Sequence, residues 1–171
     1  MPSKKFIRGF RHELANRAFA FIAVGRMAER LKEDRRGLFW KTYLDLEIFN
    51  RPRYEAAAQV WGLDLAPGLL TRLKAWVVSS VPDALHGLLL KLVYRETLKY
   101  MEWLRDLSQD GPADARDFLD YMLAQEEMQL EMMRMAMQGR YESILRFADD
   151  FFLRYNGSLL KPGKKVSAEL A

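Results

Sequence analysis

The stretch LDYMLAQEEMQLEMMRMAM (residues 119–137) decides how the chain is read. Leu119, Met122, Leu123, Leu130, Met133 and Met137 recur at steps of three, four and seven, the spacing of one face of an α-helix. Glu126 falls near the middle of that apolar stripe, and Glu127 lies nearer its edge. The anomaly recurs along the chain. Glu13 interrupts a stripe that runs through Phe6, Phe10, Arg17, Phe21, Val24, Ala28 and Leu31. Glu96 interrupts one running through Leu85, Leu88, Leu89, Leu92, Val93, Tyr100, Trp103 and Leu107. Glu47 borders a fourth, made by Phe39, Tyr43, Leu46, Asn50, Tyr54, Ala57 and Trp61. A bare carboxylate in a core is costly, so such residues must hold a metal, pair with a cation or share a proton.

Outward from that stretch the patterning is helical throughout, and no alternating strand pattern of useful length appears. One helix is expected over residues 6–32 and a second over 38–61, with a polar hinge at Glu33-Asp34-Arg35-Arg36-Gly37 between them. Gly62 and the turn Ala66-Pro67-Gly68 close the second helix, and a short helix fits residues 69–78. A third long helix starts after Ser79-Ser80-Val81-Pro82 and ends near Leu107. Gln109-Asp110-Gly111-Pro112 breaks the chain again. A helical pattern over 113–155 comes next, with a break expected near Gly139. Pro52 either ends the second helix, with Asn50 capping the segment that begins near Pro52, or kinks it beside the acids. The short links make two antiparallel hairpins, and about twenty residues between them suffice to cross a bundle's length. The expectation is a single all-α domain over residues 1–171. Its four-helix bundle and C-terminal helix occupy about 6–155, and a loose tail occupies about 156–171.

Composition bounds the function. With 171 residues, 50% of them hydrophobic, the chain can bury a proper core. It has no Cys, which excludes disulfides, thiolate metal sites and cysteine nucleophiles. Its net charge is +4. Lys4, Lys5, Arg8 and Arg11 at one end, and Lys161, Lys164 and Lys165 against Glu169 at the other, more than account for that excess, so the body is net acidic. That argues against a nucleic-acid-binding surface on the folded body. No run approaches the ~20 apolar residues of a membrane span, and no secretory signal pattern is present. A cytoplasmic location is expected. No glycine-rich phosphate loop, GxSxG elbow or Glu-x-x-His pair occurs.

The acids are also spaced as a doubled unit. Glu13 precedes Glu47-Ile48-Phe49-Asn50, and Glu96 precedes Glu127-Met128-Gln129-Leu130, at nearly equal separations. This spacing, with the hairpin–crossover–hairpin order, resembles the ferritin-like superfamily, particularly its rubrerythrin-type and di-iron carboxylate members. The resemblance covers residues 10–139. It implies a carboxylate site of Glu13, Glu47, Glu96 and Glu127, with Glu126 beside it, and places Asn50 and Leu130 where the family carries histidine. In an intact site of this kind, two iron or manganese ions sit between the helices.

The residues also offer a metal-free solution. Arg17 lies four residues after Glu13 on the same face, and Arg134 flanks Leu130. A guanidinium can satisfy two carboxylates at once. The leading expectation is thus a non-storage ferritin-like protein with a degenerate carboxylate site and no cofactor. It would act as a binding or interaction module, as a homodimer through a helix face, with an apolar small molecule as a possible ligand. One alternative is a di-iron or di-manganese oxidase acting on an apolar substrate. Another is a haem-oxygenase-like helical fold binding a small aromatic ligand, which shares the composition but not the doubled spacing.

Overall fold

The computed structural model describes residues 2–157 apart from 65 and 67, so most of the expected tail, with its lysines, lies outside the described residues. Among the described residues it holds six α-helices and no strand: α1 (Lys4–Arg30), α2 (Gly37–Val60), α3 (Leu69–Ser79), α4 (His86–Gln109), α5 (Arg116–Met137) and α6 (Tyr141–Tyr155). Single 3-10 turns at Asp83–Leu85 and Ala113–Ala115 lead into α4 and α5.

Local chemistry sets the boundaries. Ser3 starts α1 by accepting the Phe6 amide at 3.0 Å, earlier in the chain than the apolar periodicity alone indicates. The chain reverses at Gly37, where a Cβ would collide with the Leu31 carbonyl oxygen. Gly62 (φ +65°) and Gly139 (φ +71°) end α2 and α5 in the left-handed conformation that glycine tolerates. At Gly139 the paired bonds Gly139 N to Ala136 O and Arg140 N to Met135 O, both 3.0 Å, form a Schellman stop. This is the break expected near that residue. α2, in contrast, continues unbroken past Pro52. Asn50 is therefore no cap; it points into the core.

α1 pairs with α2, and α4 with α5, while α2 also touches α5. The Lys5–Asp110 ion pair (2.7 Å) sets the start of α1 against the end of α4. The Trp40–His86 bond (2.6 Å) sets the start of α2 against the start of α4. The segment between the hairpins therefore carries the chain back along the molecule, and α3 within it packs on α1. α6 folds back against α2 and α5. Arg53 ties its end down by donating to the Tyr155 carbonyl at 2.6 Å.

The core has two apolar halves. Phe6, Phe10, Leu14, Tyr54, Leu104, Phe118 and Leu119 fill one. Val24, Met27, Phe39, Leu46, Met128, Met132, Met133 and Ile144 fill the other. The methionines on several faces of α5 are covered because α6 shields a second face of that helix. Between the halves lies a buried polar layer of Glu13, Arg17, Glu47, Asn50, Gln125, Glu126 and Gln129.

α4 departs from the expected orientation. Its buried residues are His86, Leu90, Met101, Leu104, Leu107 and Ser108, while Leu85, Leu88, Leu92 and Leu98 are exposed. The inward face is turned by about one residue from the leucine-rich stripe, because α4 packs chiefly on α5 and only lightly on α1. His86 is buried and accepts the Trp40 indole N–H.

Candidate functional site

Arg17 organises the polar layer. It projects from the middle of α1, four residues after Glu13, so both side chains enter the core on one face. Its Nη1 donates to Glu47 Oε1 of α2 at 3.0 Å and to Gln125 Oε1 at 3.2 Å. Its Nη2 donates to Glu126 Oε2 of α5 at 2.9 Å. Nε lies 3.1 Å from Glu13 Oε1 without hydrogen-bond alignment, so that contact is Coulombic. One guanidinium thus meets carboxylates from three helices, its five donors fixed in a planar fork.

The remaining polar atoms close around it. Tyr54 donates to Glu13 Oε1 at 2.9 Å, and Tyr100 donates to Glu13 Oε2. Gln129 donates to Glu47 at 2.9 Å and accepts the Tyr43 hydroxyl at 2.9 Å. Gln125 donates to Glu126 and accepts from Asn50, which in turn accepts the Tyr121 hydroxyl. Burial pushes the hydroxyls of Tyr43, Tyr54, Tyr100 and Tyr121 above the ordinary tyrosine range, so all four remain donors.

The charges do not cancel: three acids share one guanidinium. Burial raises the Glu47 carboxyl and lifts Glu126 to about 7, with Arg17 pulling both down and the neighbouring acids pushing them up. Burial pulls the Arg17 guanidinium down, but Glu47, Glu13 and Glu126 together hold it well above the usual arginine value. Protonation of Glu126 is therefore the easiest way for the layer to relieve its excess negative charge.

The structure brings together only part of the residue set drawn from the spacing. Glu13, Glu47, Asn50 and Glu126 converge. Glu96 does not: it is exposed on α4 and pairs with Lys99 at 2.8 Å. Glu127, at the edge of its stripe, is exposed and meets Arg105 at 3.4 Å. Arg134 pairs with Glu131 at the surface and takes no part in the network. The second half of the doubled unit is thus not assembled, since the two residues that complete it point outward. Gln125, Gln129 and Tyr121 join the layer without having stood out in the sequence. A signal for the glutamines exists there, because they sit four residues apart inside the α5 stripe beside Glu126.

A di-metal centre does not fit this arrangement. The guanidinium already stands at the centre of the acids, and the histidine positions hold Asn50 and Leu130. Of the chain's two histidines, His12 is exposed against Trp103, and His86 is committed to Trp40. Among the described residues no group of three His, Asp or Glu side chains is placed to hold a metal ion.

A cavity of about 530 Å³ adjoins the layer, between α1, α2 and α3. Ala18, Phe21, Ile22 and Trp76 supply apolar wall; Arg17, Glu47, Asn50 and Tyr54 supply its polar end. The exposed Arg26, Arg51 and Arg72 lie on the solvent side. Arg26 bonds Ser79 at 2.8 Å and stacks over Trp76, and Arg51 bonds Glu55 at 2.7 Å and stacks over Phe21. Among the described residues the hydrogen bonds to Glu47 both end on Oε1.

Comparison with protein-family models, with curated proteins and with solved structures finds no match.

Proposed function

We propose that the chain is a small-molecule-binding helical module of ferritin-like connectivity, in which Arg17 holds the carboxylate cluster that a metal would otherwise hold. The observation carrying this reading is the contact of one guanidinium with Glu13, Glu47 and Glu126 at the end of an apolar cavity. The two hairpins and the return crossover support the connectivity. A mostly apolar cavity of a few hundred Å³ with a few convergent polar groups is the usual form of a ligand site. Its ligand is a predominantly apolar molecule with a hydrogen-bond donor at the end that meets Glu47, because a carboxylate there accepts and cannot donate.

The test is titration with N-phenyl-1-naphthylamine, a neutral apolar dye that carries one N–H. Saturable binding of one dye per chain is expected. Ala18→Trp, which fills the cavity from α1, should abolish it with the thermal transition retained, whereas Leu73→Glu on the outer face of α3 should not. Dye binding unaffected by Ala18→Trp would rule the cavity out as the site. Metal content is the parallel check. Protein grown with added iron and manganese should carry neither stoichiometrically, and two bound ions lost in Glu126→Ala would defeat the reading.

A further inference from the structure

α3 is built inside out. Its sequence, LLTRLKAWVVS, turns Ala75 and Ser79 inward, with Thr71 and Val78 half-buried beside them, against α1. Its larger apolar residues face solvent: Leu69 is 86% exposed, Leu70 65%, Leu73 58%, Val77 56% and Trp76 54%. At about 100° per residue these five fill one arc of roughly 120°. Arg72 and Lys74 stand about 100° to either side of the middle of that arc. The helix has no acidic residue. An apolar stripe with a tryptophan, edged on both sides by basic residues, is the pattern of a helix lying in a lipid interface. The long basic side chains reach the headgroups while the stripe enters the acyl boundary.

We propose that α3 docks the protein on an anionic lipid surface, with Leu69, Leu70, Leu73, Trp76 and Val77 inserted and Arg72 and Lys74 against lipid phosphates. Charge selects this occupant over a second copy of the chain. A two-fold contact centred on Leu73 would set the basic flanks of the two copies, Arg72 and Lys74, against one another, with no acid on the helix to compensate. The geometry selects docking over crossing. Among the described residues no single helix is long and apolar enough to cross a membrane, and α3 passes that test only together with the segment Asp83–Gln109, from which it is bent by 89°. This inference does not rest on the cavity's being a ligand site.

The test is co-sedimentation of the full chain with vesicles of phosphatidylcholine alone and of phosphatidylcholine with phosphatidylglycerol. Binding to the anionic vesicles is expected, weakening as salt is raised. Leu73→Glu and the pair Arg72→Glu/Lys74→Glu should each weaken it by about tenfold or more. All these positions are exposed, so the variants should keep the parent's helical signal and thermal transition. No vesicle binding, equal binding to neutral vesicles, or binding unchanged in both α3 variants would overturn the proposal; the last would assign attachment to the basic termini. A chain that sediments as a dimer in the absence of vesicles and becomes a monomer on Leu73→Glu would also overturn it, by making this face a self-interface.

Discussion

Arg17→Met removes the cation from the polar layer with little change in side-chain length. Glu13, Glu47 and Glu126, each 3% exposed or less, are then left facing one another. Breaking a buried ion pair by removing one partner costs about 3–5 kcal/mol. Here three acids lose a shared partner, so a loss of about 4 kcal/mol at pH 8 is a floor rather than a centre. Against a total stability of about 5–15 kcal/mol this is a large fraction. For a chain of this size it lowers Tm by roughly 8–16 °C. The dependence on pH separates charge from packing. Burial already lifts Glu126 to about 7 and raises Glu47, and Arg17 is what pulls both down. Without it both rise further, so the cluster takes up protons more readily at pH 5 than at pH 8, and the loss there should be clearly smaller. Urea unfolding monitored by circular dichroism at pH 5 and pH 8 measures both losses. Adding Glu47→Gln and Glu126→Gln to Arg17→Met should recover most of the deficit at pH 8. A loss below about 1 kcal/mol at pH 8, the size of a surface pair, would refute the reasoning. So would equal losses at the two pH values.

The same layer governs the response to pH and to single truncations. Glu126 has a folded pKa of about 7 against an ordinary 4.5. The native state therefore binds that proton more tightly, and stability falls as pH rises from 4.5 to 7, by about 3 kcal/mol. Glu126→Gln should flatten that part of the profile and be at least as stable as the parent at pH 8; a slope that survives the substitution would show that another group carries it. Glu96→Ala, which removes only the surface pair with Lys99, should change the unfolding free energy by less than about 0.5 kcal/mol, while Glu13→Ala strands the Tyr54 and Tyr100 hydroxyls and should cost several times more.

What the sequence could and could not reveal divides along physical lines. Arg17 and Glu13 are legible together because four residues on one helix fix their relation without any knowledge of the fold. Glu47 and Glu126 are legible as acids in or beside apolar stripes. Glu96 misleads because α4 carries more leucine than its inward face uses. The density of apolar residues points to Leu85, Leu88 and Leu92, so the exposed side of that helix reads as the buried one. Pairwise spacing along the chain is likewise blind to rotation about a helix axis, so the match of Glu96 to Glu127 in number says nothing of their direction. The cavity needs α3 laid against α1, and no local pattern in α3 announces that its small residues face inward.

A polar layer between two apolar half-cores needs an explanation beyond stability, since a buried ion network is commonly no more stable than the apolar packing that could replace it. Its effect here is on register. Two apolar half-cores of Phe, Leu and Met would tolerate sliding of α2 or α5 by a turn with modest loss, because methionine and leucine repack readily. Arg17 does not permit it: a slide of about 5.4 Å, one helical turn, takes Glu47 or Glu126 out of reach and leaves a charge unpaired. The tyrosine and glutamine bonds repeat the constraint from each neighbouring helix. The layer thus holds α1, α2 and α5 in one alignment.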